Sequence, residues 1–181
     1  MNAVNFLVNT LFDLYIMVVL LRVWLQLARA DFYNPFSQFI VKATQPVVAP
    51  LRRVIPSYRG LDLATVLFAI IVAALKVVVI SLIAHYTMNP IVIIISALIL
   101  VITAIFKLLF WILILRAILS WVSRGTNPVE IVMIQLTEPL LQPIRRFLPA
   151  MGGLDLSMLV VLLGLQFLQI LVNDFIARLL G

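Results

Sequence analysis

Four stretches of this chain run for about the 20 residues that a bilayer-crossing helix needs with hardly a charged position among them. They cover residues 4–27, 63–84, 97–121 and 157–177. The first holds Asp13 and Arg22, and the second is interrupted only by Lys76. The third lies inside a longer apolar run, 91–122. That run exceeds one perpendicular crossing and is too short for two, so it predicts one tilted helix or a helix with an extramembrane end. No basic residue precedes Arg22, and no small-residue cleavage site follows a short apolar core. The first stretch therefore reads as a retained helix and not as a removable signal. Segment 85–90 is a tight polar connector, and its Asn89-Pro90 is a turn signal. The pattern predicts an all-α membrane protein with four transmembrane helices.

Composition agrees. Of 181 residues, 65% are hydrophobic and 11% charged, with a mean hydropathy of +1.22; soluble domains run at roughly 45–50% and about 25%. The absence of Cys excludes disulfides, thiolate metal sites, iron–sulfur clusters and c-type haem. The single histidine, His85, leaves no His-rich metal site and no pair of axial haem ligands. No cofactor is expected. Thirteen Lys and Arg stand against seven Asp and Glu. In a membrane protein this excess speaks to sidedness and not to nucleic acid. Arg22, Arg29, Lys42, Arg52, Arg53 and Arg59 lie at or after the end of the first span, and Arg116, Arg124, Arg145 and Arg146 around the end of the third. The positive-inside rule makes loops 28–62 and 122–156 cytoplasmic and both termini external, with Arg178 running against it.

The chain is an internal duplication, residues 1–90 and 91–181. Positions 34–63 align without gaps on 127–156, with twelve identities in thirty. They include Asn34/Asn127, Pro35/Pro128, Thr44/Thr137, Pro46/Pro139, Pro50/Pro143, Arg52/Arg145, Arg53/Arg146, Pro56/Pro149 and the run Gly60 to Leu63 on Gly153 to Leu156. With one residue removed the match extends back, so that Arg22 meets Arg116 and Asp13 meets Lys107. Each half is helix, basic loop, helix, which makes the halves parallel repeats.

Within each loop Asn34-Pro35 and Asn127-Pro128 predict a helix start, Asn as cap and Pro at the first helical position. Phe36, Phe39, Ile40 and Ala43 then form an apolar stripe, as do Val129, Val132, Met133 and Leu136. The stripe predicts an amphipathic interfacial helix of about ten residues. Pro46, Pro50 and Pro56 are expected to prevent a longer helix and to force a turn-rich path. Asp62 and Asp155 read as N-caps of the second and fourth spans. The pairs Arg52-Arg53 and Arg145-Arg146 anchor the loops to anionic headgroups in one reading, and receive phosphate or an acidic partner segment in the other.

The order Asn-Pro, Thr-x-Pro-x-x-x-Pro-x-Arg-Arg-x-x-Pro, Gly-Leu-Asp-Leu before an apolar helix resembles the YggT family, twice over nearly the whole chain. These are small bacterial inner-membrane proteins with chloroplast relatives. The resemblance implies an integral membrane protein without established catalytic activity. Its relatives are associated with cell-envelope and division processes, or with cofactor attachment to plastid membrane complexes.

Asp13, Lys76 and Lys107 fall near the bilayer centre, where each costs roughly 2.5–3.5 kcal/mol unless paired or hydrated. Gln169 is the repeat counterpart of Lys76, and Gln166, Gln169 and Asn173 share one helical face. Either Asp13 pairs with Lys76 or Lys107 and fixes helix register, or the polar interior is a hydrated path. No nucleophile or phosphate loop suggests an enzyme. The leading expectation is a non-catalytic assembly, scaffold or envelope-homeostasis factor acting through its loops, with lipids, a membrane-protein partner or a second copy as partners. The alternative is ion or small-solute passage, as an oligomer.

Overall fold

The computed structural model describes residues 3–58, 60–122, 127–147 and 156–180. Among them lie six α-helices in the order α1 (Ala3–Leu27), α2 (Pro35–Val54), α3 (Leu63–Ile83), α4 (Pro90–Val122), α5 (Pro128–Arg145) and α6 (Leu156–Leu180). Four of them, α1, α3, α4 and α6, are long and apolar enough to cross a membrane. The apolar run 91–122 lies in one continuous helix of 33 residues, Pro90–Val122. At about 1.5 Å per residue it is about 50 Å long, well beyond a hydrocarbon core of about 30 Å.

Three helices start in the same way. The side-chain oxygens of Asn34, Asn89 and Asn127 accept the N–H two residues on, from Phe36 at 2.9 Å, Ile91 at 3.0 Å and Val129 at 2.9 Å. A proline stands between each pair, where its missing N–H has no partner to lose. Asn89-Pro90, read from sequence as a turn, is thus also a helix start.

The expectation that prolines break the loop helices is corrected. α2 runs for 20 residues through Pro46 and Pro50, and α5 for 18 residues through Pro139 and Pro143. An interior proline removes one hydrogen bond and crowds the carbonyl four residues back. Here the prolines are four apart, so both fall on one face, and that face is exposed in α2 and in α5. The opposite face of each helix carries its buried residues. α2 ends where Ile55 is extended before Pro56, as the residue preceding proline must be. Tyr58 and Leu61 then exchange backbone hydrogen bonds across a reverse turn in which Gly60 has φ +87°, and the turn delivers Asp62 to the start of α3.

Two helix ends carry left-handed residues other than glycine. Arg29 (φ 53°) follows α1 and His85 (φ 55°) follows α3. Ala30 N–H reaches Leu25 O at 2.9 Å and Tyr86 N–H reaches Ser81 O at 3.2 Å. These six-residue closures satisfy helix-end carbonyls that have no partner within the helix.

The chain packs as two compact units, Met1–Leu108 and Leu109–Gly181, with the boundary inside α4. In the first, α1 packs on α3, and α2 lies against both. Ala64, Ala69 and Ala73 are fully buried on α3, and such small side chains let helices approach closely. Ile16, Val19 and Leu20 of α1 and Phe68 and Val72 of α3 complete this core, with Tyr15 edge-on to Phe68 at 6.0 Å. The buried face of α2 is Ser37, Ile40, Thr44 and Val48. Of the apolar stripe read from the sequence, Ile40 is buried, Phe36 half-buried, and Phe39 and Ala43 exposed. A hydroxyl-bearing face turns inward because a buried arginine requires it, as described below. In the second unit α5 packs on α6 and buries Val132, Met133, Leu136, Thr137 and Leu141.

A left-handed conformation costs an L-residue about 1–2 kcal/mol and glycine almost nothing. His85→Gly is therefore expected to stabilise the protein, and Gly60→Ala to destabilise it, each by about 1 kcal/mol. Thermal unfolding in detergent micelles checks both; equal midpoints for the three proteins would refute the assignment.

Candidate functional site

The chemistry-bearing residues of the first loop converge on the end of α1. Arg22 is only 3% exposed. Its Nη1 donates to Thr44 Oγ1 at 2.7 Å and to the Val41 carbonyl at 3.3 Å, and its Nη2 donates to Gln45 Oε1 at 2.7 Å. Thr44 in turn donates to the Ile40 carbonyl at 2.9 Å, which fixes its hydroxyl as an acceptor for the guanidinium. Arg22 thus ties α1 to the middle of α2.

The other end of α2 is tied to α3. Arg52 Nε donates to Asp62 Oδ2 at 2.8 Å, and Arg52 Nη2 donates to the same oxygen. The Thr65 hydroxyl also donates to Oδ2, and the Thr65 N–H reaches Oδ1 at 3.4 Å. Asp62 is 1% exposed. Burial pushes its carboxyl up, but the Arg52 guanidinium and the Thr65 hydroxyl outweigh that and hold it below the usual carboxylate range. Arg52 therefore faces a cap residue of its own chain, whereas Arg53 is exposed. The sequence reading set both arginines against external anions; it had no way to see that the reverse turn at Gly60 brings Asp62 back to Arg52.

The second loop repeats part of this geometry. Arg116 Nη1 donates to the Thr137 hydroxyl, which donates to the Met133 carbonyl at 2.8 Å. Glu138 stands where the first loop has Gln45. Its Oε2 lies 3.7 Å from Arg116, and its Oε1 lies 3.2 Å from Arg145. Arg146 is exposed, and Asn127 caps α5. Asp155 lies outside the described residues. Sequence reading singled out none of Thr44, Gln45, Thr137 and Glu138 as site residues. The available signal was an arginine placed inside an apolar span in both halves, with a threonine identical in both loops.

Midway along the spans, Lys76 Nζ donates to Asp13 Oδ1 at 2.6 Å. The lysine side chain is 6% exposed and the aspartate 40%. Lys107 is exposed on α4, and among the described residues no ion pair reaches it. On α6, Gln166 and Asn173 are exposed and Gln169 is half-buried. The structure thus brings together Asp13 and Lys76 from the list of intramembrane polar residues. No group of three His, Asp or Glu suited to a metal occurs among the described residues.

A family model described as CCB3/YggT matches the chain twice, over residues 1–83 and 95–176. The two starts differ by 94, the offset at which Arg22 meets Arg116. The chain is similar to an uncharacterised protein of the proC 3′ region of Vibrio alginolyticus, 60% identical over 181 residues, covering 97% of this chain and 96% of the relative. It is similar to the uncharacterised protein YggT of Escherichia coli (strain K12), 50% identical over 169 residues, covering 93% and 88%. An uncharacterised protein of Haemophilus influenzae is 38% identical over 174 residues, covering 96% and 91%. No solved structure matches the chain.

The Asp62 clamp has a definite pH signature. Its folded pKa is depressed, so its contribution to stability is present above the unfolded carboxylate value of about 3.9 and is lost as pH falls through the folded value. Asp62→Asn is expected to cost about 1–3 kcal/mol at neutral pH, because Arg52 and the α3 terminus lose a charged acceptor. The variant also flattens the fall in stability on the acid side. Unfolding midpoints of both proteins between pH 7 and pH 3 check this; parallel curves would contradict it.

Proposed function

The chain belongs to the CCB3/YggT family, and we propose that it is a non-catalytic, multi-pass protein of the bacterial inner membrane. In this reading it acts as an assembly or envelope-homeostasis factor through its two motif loops, which lie on the cytoplasmic side as parallel repeats. The observation that supports this best is where the shared loop residues go. Asn34, Thr44, Arg52 and Asp62 all hold α2 in place by bonds within the chain. Residues engaged in this way fix a helix. What α2 then presents outward is Phe39, Lys42 and Val47, with Arg53 at its end. Apolar and basic residues together on an anchored helix suit the surface of an anionic membrane and an acidic segment of a membrane-protein partner. α5 presents Ile131 and Ile134, with Arg146 following it.

A second reading, ion or small-solute passage as an oligomer, draws on the intramembrane pair. Asp13 is 40% exposed beside its buried lysine, which leaves a carboxylate face for water or a cation.

The two readings separate on one set of variants. Asp13→Asn leaves Lys76 a buried cation without its counter-charge, which costs about 3–5 kcal/mol and lowers abundance in the membrane. The exchange Asp13→Lys with Lys76→Asp restores the pair. For an assembly factor the exchanged protein regains abundance and complements a deletion strain, and proteoliposomes with wild type pass ions no faster than empty ones. For a conduit the exchanged protein is abundant but inactive, and wild-type flux is abolished by Lys76→Met. In the assembly reading, Arg53→Glu with Arg146→Glu keeps abundance and loses complementation.

A further inference from the structure

The two repeats solve the same electrostatic problem differently. Arg22 and Arg116 occupy equivalent places, and each donates to the equivalent threonine, Thr44 or Thr137. Beside Arg116 stands the carboxylate of Glu138, which also reaches Arg145, the counterpart of Arg52. Glu138 is thus an anion set between two arginines. At the same place in the first repeat is Gln45, a neutral amide. Among the described residues the three acceptors of Arg22 are neutral: a hydroxyl, a backbone carbonyl and an amide. The adjacent carboxylate, Asp62, is engaged by Arg52 and Thr65. Arg22, Arg52 and Asp62 together carry one net positive charge, and Arg22 is out of water. A buried cation without a counter-charge is costly, and an anion that enters beside it recovers that cost.

Space for such an anion is present. A recess of about 320 Å³ is lined by Arg22, Gln26, Phe32, Val41, Gln45 and Arg52. It offers two guanidinium groups and two side-chain amides around one volume. Guanidinium forks match the spread of oxygens on a phosphoryl group and bind it in parallel pairs of bonds. Arg22 lies five residues before the end of α1, about 7.5 Å along the axis from that end. Phe32 provides an apolar wall.

We propose that this recess is a phosphoryl-binding site, in which the phosphate of a lipid headgroup or a free phosphate sits between Arg22 and Arg52 and supplies there the negative charge that Glu138 supplies between Arg116 and Arg145 in the second repeat. The site does not rest on the assembly reading: a protein that binds phosphate here and assembles nothing leaves it standing.

The test uses the full chain in a maltoside detergent free of phosphate, with two probes, inorganic phosphate and short-chain phosphatidylglycerol, at constant ionic strength. Native mass spectrometry reads stoichiometry, and the unfolding midpoint reads affinity. Wild type is expected to bind one equivalent of probe and to unfold at a higher temperature in its presence. Gln45→Glu supplies an internal anion; it is expected to fold at least as stably as wild type without probe, and to bind at least tenfold more weakly. A response to both probes identifies the phosphate group itself as the ligand, and a response to the lipid alone identifies a headgroup site. The proposal is overturned if wild type binds neither probe, or if Gln45→Glu binds as wild type does.

Discussion

An arginine inside an apolar helix has to find acceptors, because neither hydrocarbon nor a packed core supplies them. In this chain the second helix supplies them to the first. Arg22 projects from α1, and α2 meets it with the Thr44 hydroxyl, the Val41 carbonyl and the Gln45 amide. This one requirement explains which face α2 turns inward, why Phe39 and Ala43 face out, and why a helix with two interior prolines has a fixed place. The exposed prolines can forgo their hydrogen bonds because the buried face is held elsewhere.

The far end of α2 obeys the same logic. Arg52 lies in its last turn, where a cation suits the helix dipole, and it meets Asp62 at the N-cap of α3, where an anion suits it. A single pair therefore satisfies two helix ends and the connection between them. Arg116 on Thr137 in the second unit has the same geometry, so the arrangement is not confined to one loop. Substitution of Gln45 by Glu138 is where the copies diverge, and it alters the charge of the site more than its shape.

The spans and the caps were legible in the sequence because both are local. Twenty apolar residues specify a crossing without reference to any other segment, and Asn-Pro specifies a helix start from two neighbours. Helix length in the loops was not legible: a proline is disruptive or harmless according to which face is packed, and packing is a tertiary fact. Nor was the role of Arg52. Headgroups and partners are the natural targets of a loop arginine, and only the turn through Gly60 reveals that an acid of the same chain arrives first. Asp13 had two lysines at matching depth, Lys76 and Lys107; depth left the choice open, and the contact of α1 with α3 makes it Lys76. The left-handed Arg29 and His85 left no sequence signal, since glycine is the residue that marks such positions.

The central claim is that Arg22 holds α2 against the α1–α3 pair. Hydrogen exchange along the whole chain in lipid nanodiscs, comparing wild type with Arg22→Met, tests it most directly. The account predicts faster exchange across residues 35–54 in the variant, with protection of α1 and α3 retained. Unchanged protection across 35–54 would contradict it.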